Sequence, residues 1–202
     1  DVRIPEREET IQLYERNTNL DIKLTSPIGP FQLYSMRWEG DYNYDIINVS
    51  KYIHPCTLEA AYQVASQLRE DDLRECVEGH GIVPTIDIPL ASSAGFCVSF
   101  NVPDGRIAGL AGIHSDGRIW MLCTPAIEDF PHHFAREAKR FIDNRCDPYL
   151  WNLVDKRNTV HIKLLKFLGF TLHDEVLYGP NSLPFIRFSK CVHQQSDLPE
   201  AY

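Results

Sequence analysis

No apolar stretch in this 202-residue chain approaches the roughly 18 residues that a membrane-spanning helix needs. A transmembrane helix is therefore excluded. The first residues, DVRIPEREETIQLYERN, lack the apolar core of a secretory signal, so none is expected. Positive charge is also scarce. Lys and Arg total 20 against 28 Asp and Glu, a net charge of −8. That balance opposes general adhesion to nucleic acid or to an anionic membrane, although a local basic patch survives it. Closely spaced cysteines are missing too. The six, at 56, 76, 97, 123, 146 and 191, include no CxxC and no pair at zinc-ligand spacing. Cys97 in GFCVSF and Cys123 in WMLC stand in apolar runs, where a free thiol packs as a small hydrophobe. Six reduced thiols in a cytosolic chain are expected, and disulfides are not.

What is present reads as globular. Hydrophobic residues make up 44% and charged residues 24%, which excludes disorder of the whole chain. The length fits one domain plus something extra. Residues 1–45 differ from the rest. They carry a net charge of −4, are broken by SPIGP and EGDYNYD, and hold a short helix candidate after Pro5. Tyr14, Phe31, Tyr34, Trp38, Tyr42 and Tyr44 make this arm richer in aromatics than a solvated linker. They are its candidate partner-binding residues, facing either its own domain or another protein.

From residue 46 onward, apolar patterning predicts regular elements. IINVSKY reads as a short strand, and TLEAAYQVASQL has apolar residues at helical spacing. REDDLRECVEGHG reads as a second helix ended by glycine at 79 or 81. Residues 82–94 contain proline and read as a loop or edge. GFCVSFNV, RIAGLAGIH and RIWMLCT read as three strands joined by the Asp-Gly hairpin turns VPDGR and SDGR. DFPHHFAREAKRFIDN is a helix with Phe134, Ala138, Phe141 and Ile142 on one face. PYLWNLV is apolar enough for a buried central strand. Asn158 caps a helix over TVHIKLLKFL, which Gly169 closes. TLHDEVLY and LPFIRFSK are two last strands, followed by a polar tail from 191 to 202. The result is an α/β chain with a mixed, mostly antiparallel central sheet flanked by helices.

That order, with WNLVDKRNTVHIKLLKFLGF at 151–170, resembles the Gcn5-related N-acetyltransferase (GNAT) superfamily, in which a strand leads to an Asn, a helix and a Gly-Phe pair. The resemblance covers residues 46–190. Over 149–190 the chain also resembles a narrower group, the acetyltransferase-like internal virion proteins of short-tailed, podovirus-type bacteriophages. Trp151-Asn152, Asn158, His161-Ile162 and Lys166 before Gly169 carry that resemblance. The superfamily implies acetyl-CoA as cofactor, with pantetheine contacts along the backbone of strand 118–123. The phage group implies a virion role.

Two devices that the superfamily implies are altered here. The pyrophosphate cradle calls for backbone N–H groups at a helix start, approached through glycines. TPAIEDFPHH stands in that place, with no glycine, with Glu128 and Asp129 where phosphates would sit, and with Pro131 removing a donor. The tyrosine that the superfamily often uses as an acid lies four residues before the glycine; that residue here is Leu165. The predicted strands 95–101 and 106–113 carry no carboxylate, and Asp104 and Asp116 read as turn residues. His132-His133 reads as a solvated helix start, since neighbouring helical positions do not share a face. Cys76 and His80, four apart, could pair as thiolate and imidazole, but no oxyanion device accompanies them. His161 reads as a packing residue.

Residues 134–167 carry a net +4, through Arg136, Lys139, Arg140, Arg145, Lys156, Arg157, Lys163 and Lys166 against four acids, and the acidic arm could lie across them. Taken together, these features predict a non-catalytic virion structural or assembly protein on a degenerate acetyltransferase fold. No catalytic, cofactor or metal residues are assigned. Its expected partners are other virion proteins or copies of itself, in the particle and in the host cytoplasm during assembly. The alternatives are an active acetyl-CoA-dependent N-acetyltransferase and a host-takeover binding protein.

Overall fold

The structure, a computed structural model, describes residues 50–145 and 147–191. The aromatic arm, with Tyr14, Phe31, Tyr34, Trp38, Tyr42 and Tyr44, lies outside the described residues, as do Cys146 and the tail beyond 191. The described part opens with a three-residue strand β1 (Ile53–Pro55). Helix α1 (Leu58–Ser66) follows, with the Thr57 hydroxyl accepting from the Ala60 N–H as its cap. Helix α2 (Glu70–Arg74) runs into a π-helical turn (Glu75–His80), which Gly81 ends at φ 68°. Helix α3 (Pro84–Ser93) precedes the strands β2 (Phe96–Asn101), β3 (Ile107–Ile113) and β4 (Ile119–Cys123). Then come a short α4 (Ala126–Asp129) and α5 (Pro131–Asp143). Strand β5 (Tyr149–Asp155), helix α6 (Thr159–Phe167), β6 (Thr171–Tyr178) and β7 (Leu183–Cys191) finish the domain.

The strands form two antiparallel sheets, ordered β1-β2-β3-β4 and β5-β7-β6. The Asp-Gly turns of the meander form as the sequence predicts. The Asp104 and Asp116 carboxylates accept from the backbone N–H two residues on, which makes them turn residues. One face of the meander, with Val98, Phe100, Ala111 and Ile113, buries Phe134, Ala138, Phe141 and Ile142 of α5 together with β5, α6 and β7. The other face, through Leu110, carries α1 and Ile88 of α3. Helices thus cover both faces.

Several elements differ from the sequence reading. Residues 82–94 are not a loop but hold α3. Pro84 sits in its first turn, where a missing N–H costs nothing, and the Asp87 carboxylate accepts from the Val83 N–H. Pro89 inside it breaks the usual sequence signal. Of the strand read over IINVSKY, residues 46–49 lie outside the described residues; Lys51 and Tyr52 form a turn, and the strand starts at Ile53. Strand β5 is not central. It is the edge of its sheet, with Tyr149 exposed and Trp151, Asn152 and Leu153 half-buried. Its apolar run faces a divide between the two sheets.

Candidate functional site

Strands β4 and β5 run parallel where the two sheets meet, and they are tied only at one end. Arg118 and Trp151 form an isolated parallel bridge, with the Trp151 N–H donating to the Gly117 carbonyl at 3.1 Å. The Trp151 indole donates to the Asp116 carbonyl at 3.0 Å, and Asn152 Nδ2 donates to the Ile119 carbonyl at 2.7 Å. Beyond that point β4 pairs with β3 and β5 with β7, and no ladder joins the two. A cavity of about 100 Å³ lies in this region, lined mainly by apolar side chains, Leu165 among them, with polar groups from Glu75, His80, Asp87, Arg118, Asn152 and His161.

At the far end of the divide the free backbone groups of Cys123 at the end of β4 are satisfied by the N-cap and first turn of α2. The Arg69 N–H donates to the Cys123 carbonyl at 2.9 Å, and the Asp72 carboxylate accepts from the Cys123 N–H at 2.9 Å. Asn158, fully buried just past the end of β5, completes the cluster. Its Nδ2 donates to Asp72 at 3.0 Å and to Glu75 at 3.1 Å. Its Oδ1 accepts from the His161 N–H, as the cap of α6, and from the Arg69 guanidinium at 3.3 Å. Arg69 also approaches Asp72 at 3.4 Å, with both side chains buried. Four polar residues from two parts of the chain thus stand where a β4–β5 ladder would have run.

Burial controls the charge here. It pushes the Glu75 carboxyl up to about 8, with the Asp72 charge adding to it and the Asn158 hydrogen bond opposing it. It pulls His80 down to about 4 and lowers His161 and His114. At neutral pH this region holds neutral imidazoles and a largely protonated Glu75. His80 packs edge-on against Tyr178 and Phe185, at centroid distances of 5.3 and 5.6 Å. Burial also drives the Cys76 thiol far above its ordinary range, so the Cys76–His80 spacing yields no thiolate.

The turn after β4 does not fit a pyrophosphate. Thr124 spends its hydroxyl on the Ile107 carbonyl, and α4 interposes Glu128 and Asp129, the latter held by Arg106 at 2.7 Å. Helix α5 starts at Pro131 behind Phe130, with no side-chain cap. Negative groups therefore precede the helix start that would have to receive an anion. Leu165 is a buried core residue, with no proton to give. His133 stacks edge-on with Tyr52 at 4.3 Å, so the His132-His133 pair is not simply a solvated helix start.

The basic stretch 134–167 is not one open patch. Arg157 pairs with Asp155 and Glu78, Lys156 with Glu175, Lys139 with Asp143, and Arg140 with Glu137. Arg145 is buried over the Phe96 ring, 4.4 Å from its centroid, and pairs with Asp147. Sequence reasoning missed Arg69, Asp72 and Glu75, because REDDLREC looks like a solvated helix. The available signal was Asn158, whose amide needs buried partners beyond its cap.

No protein family matches the sequence, and no curated protein does. Solved structures are similar in fold. A GNAT-family acetyltransferase from Bacillus anthracis superposes with a TM-score of 0.53 at 9% identity, covering 70% of this chain and 95% of that one. A Bordetella pertussis protein described as a GNAT-family acetyltransferase gives 0.50 at 12% identity, covering 69% and 94%. The fold is that of the GNAT acetyltransferases. At these identities the GNAT likeness speaks for architecture alone. Within the GNAT fold of this chain, the β4–β5 divide and the Asn158 cap are the places where the polar residues converge.

Proposed function

We propose that the chain is a non-catalytic structural or assembly protein of a bacteriophage particle, in its internal core, portal or head–tail region. One observation carries the loss of catalysis. Arg69, Asp72, Glu75 and Asn158 fill the far end of the β4–β5 divide, and Arg69 and Asp72 occupy the backbone groups of Cys123. The superfamily resemblance puts pantetheine contacts along this same strand. The acidic, glycine-free turn at 124–131 and the buried Leu165 point the same way. The virion role rests on the resemblance over 149–190. Its Trp151-Asn152 pair is the one that ties the two sheets together, and its Asn158 is the hub of the buried cluster. A structural role keeps such residues for the shape they hold.

The test is to purify particles of the phage that encodes the chain and quantify it against the major capsid protein. A fixed copy number per particle is expected. Absence from particles overturns the virion reading, and capture of one host protein at equal stoichiometry would favour a host-takeover role instead. The enzyme alternative has one observation in its favour. Glu75 borders the cavity with its carboxyl raised to about 8, the range of a general base. Acetyl-CoA turnover that is lost in Glu75→Gln would establish it.

A further inference from the structure

Cys56 and Cys97 face each other across the first two strands. Antiparallel pairing of β1 with β2 runs Ile53 to Phe100, His54 to Ser99 and Pro55 to Val98, so the next pair in register is Cys56 with Cys97. The Cys56 N–H donates to the Cys97 carbonyl at 3.0 Å, which makes this a hydrogen-bonded pair. Such pairs have Cα atoms about 5.5 Å apart, inside the span of about 4.4–6.8 Å that a disulfide bridges. Both side chains lie on the same face of the sheet, against the small core formed by Ala60, Ala61 and Val64 of α1. Both are half-buried, whereas Cys76 and Cys123 are enclosed and Cys191 is exposed.

We propose that Cys56 and Cys97 are a dithiol site that closes to a disulfide on reaction with a low-molecular-weight disulfide such as oxidised glutathione. The facing Cys97 thiol holds the Cys56 pKa down, with Ser92 assisting and burial opposing, and Cys97 is pushed up in turn, while the two Sγ atoms donate to the neighbouring Thr57 and Val98 carbonyls. Cys56 is therefore the first nucleophile. Its thiolate attacks one glutathione sulfur, the glutathione S–S bond breaks, and one glutathione leaves as thiolate and takes up the proton that Cys56 lost. Cys97 then gives up its proton and attacks the Cys56 sulfur of the mixed disulfide, expelling the second glutathione, which takes that proton. Two protein thiols are oxidised by two electrons, and one small disulfide is reduced to two thiols. The bond fastens β1 to β2, and it lies next to Thr57, the cap of α1.

The experiment equilibrates the full chain in reduced and oxidised glutathione, quenches it with acid, alkylates it and maps the peptides by mass. A peptide linking Cys56 to Cys97 is expected, lighter by two hydrogens and reopened by dithiothreitol, with the melting midpoint raised by about 4 °C or more. In Cys97→Ser, Cys56 should retain one glutathione. Exposed Cys191 serves as the internal control for exchange. Glutathione on Cys191 with Cys56 and Cys97 both still thiols overturns the proposal. So does a glutathione adduct that persists on Cys56 in the unsubstituted chain.

Discussion

Asn158 does two jobs with one amide. Its oxygen caps α6, and its nitrogen donates to two buried carboxyls. Asn158→Ala removes the cap and also leaves Asp72 and Glu75 short of a donor. A missing cap costs about 1 kcal/mol and an unsatisfied buried group about 1–3 kcal/mol. Urea unfolding should therefore show a loss of roughly 2–4 kcal/mol. Asn158→Asp should restore the cap but not the stability, because it replaces the amide donor by a second carboxylate beside Asp72.

Glu75 sets the pH dependence. Its folded pKa, about 8, lies above the ordinary 4.5, so the folded protein holds a proton that the unfolded chain has released. Stability from this group is complete below about pH 4.5 and is lost as pH rises toward 8. His80, lowered from 6.5 to about 4, acts in the opposite direction, and its loss comes as pH falls below 6.5. The two oppose each other between about 4.5 and 6.5, which leaves the interval from about 6.5 to 8 to Glu75. Unfolding free energy measured across that interval should decline. Glu75→Gln should flatten the decline and make the protein more stable than the unsubstituted chain at pH 8.

At the scale of elements, the π-helical turn docks on the β6–β7 hairpin through two glycines. A Cβ on Gly179, which sits at φ 74°, would run into the Gly79 carbonyl oxygen. Asn181 Nδ2 donates to the Glu78 carbonyl, and Arg157 reaches the Glu78 carboxylate, so the contact is pinned on both sides. Gly179→Ala should cost on the order of 2 kcal/mol or more, from both the left-handed backbone and the collision. Phe141→Ala on α5, where the ring meets Phe100 edge-on at 5.6 Å, should cost about 3–5 kcal/mol through the cavity it leaves. Equilibrium denaturation reads both.

These same elements show why some of the fold was legible and some was not. The apolar face of α5, the Asp-Gly turns and the Asn158 and Gly169 ends of α6 follow from rules that act within a few residues. The α3 helix escaped because its two prolines carry the sign of a loop. The Arg69–Asp72–Glu75 cluster escaped because its burial is decided by Asn158, more than 80 residues away in sequence, as their hydrogen bonds show. Cys56 and Cys97 were visible as thiols, but their pairing needed the β1–β2 register.

For the whole molecule, the two sheets are joined through Trp151, Asn152 and a buried polar cluster where strands would otherwise have to share a ladder. A cofactor entering that divide would have to displace hydrogen bonds to Cys123 and expose Asp72 and Glu75, and the turn beyond it would meet its phosphates with Glu128 and Asp129. Both costs fall on the same ligand. Thermal melts with and without millimolar acetyl-CoA measure the sum. A ligand at about 100 times its dissociation constant would add roughly 2.7 kcal/mol, and each kcal/mol moves the midpoint of a chain this size by about 2–4 °C. The midpoint should stay where it is. A rise of several degrees would mean that the cluster yields to the cofactor, and the divide would then have to be read as a closed but working acetyl-CoA groove.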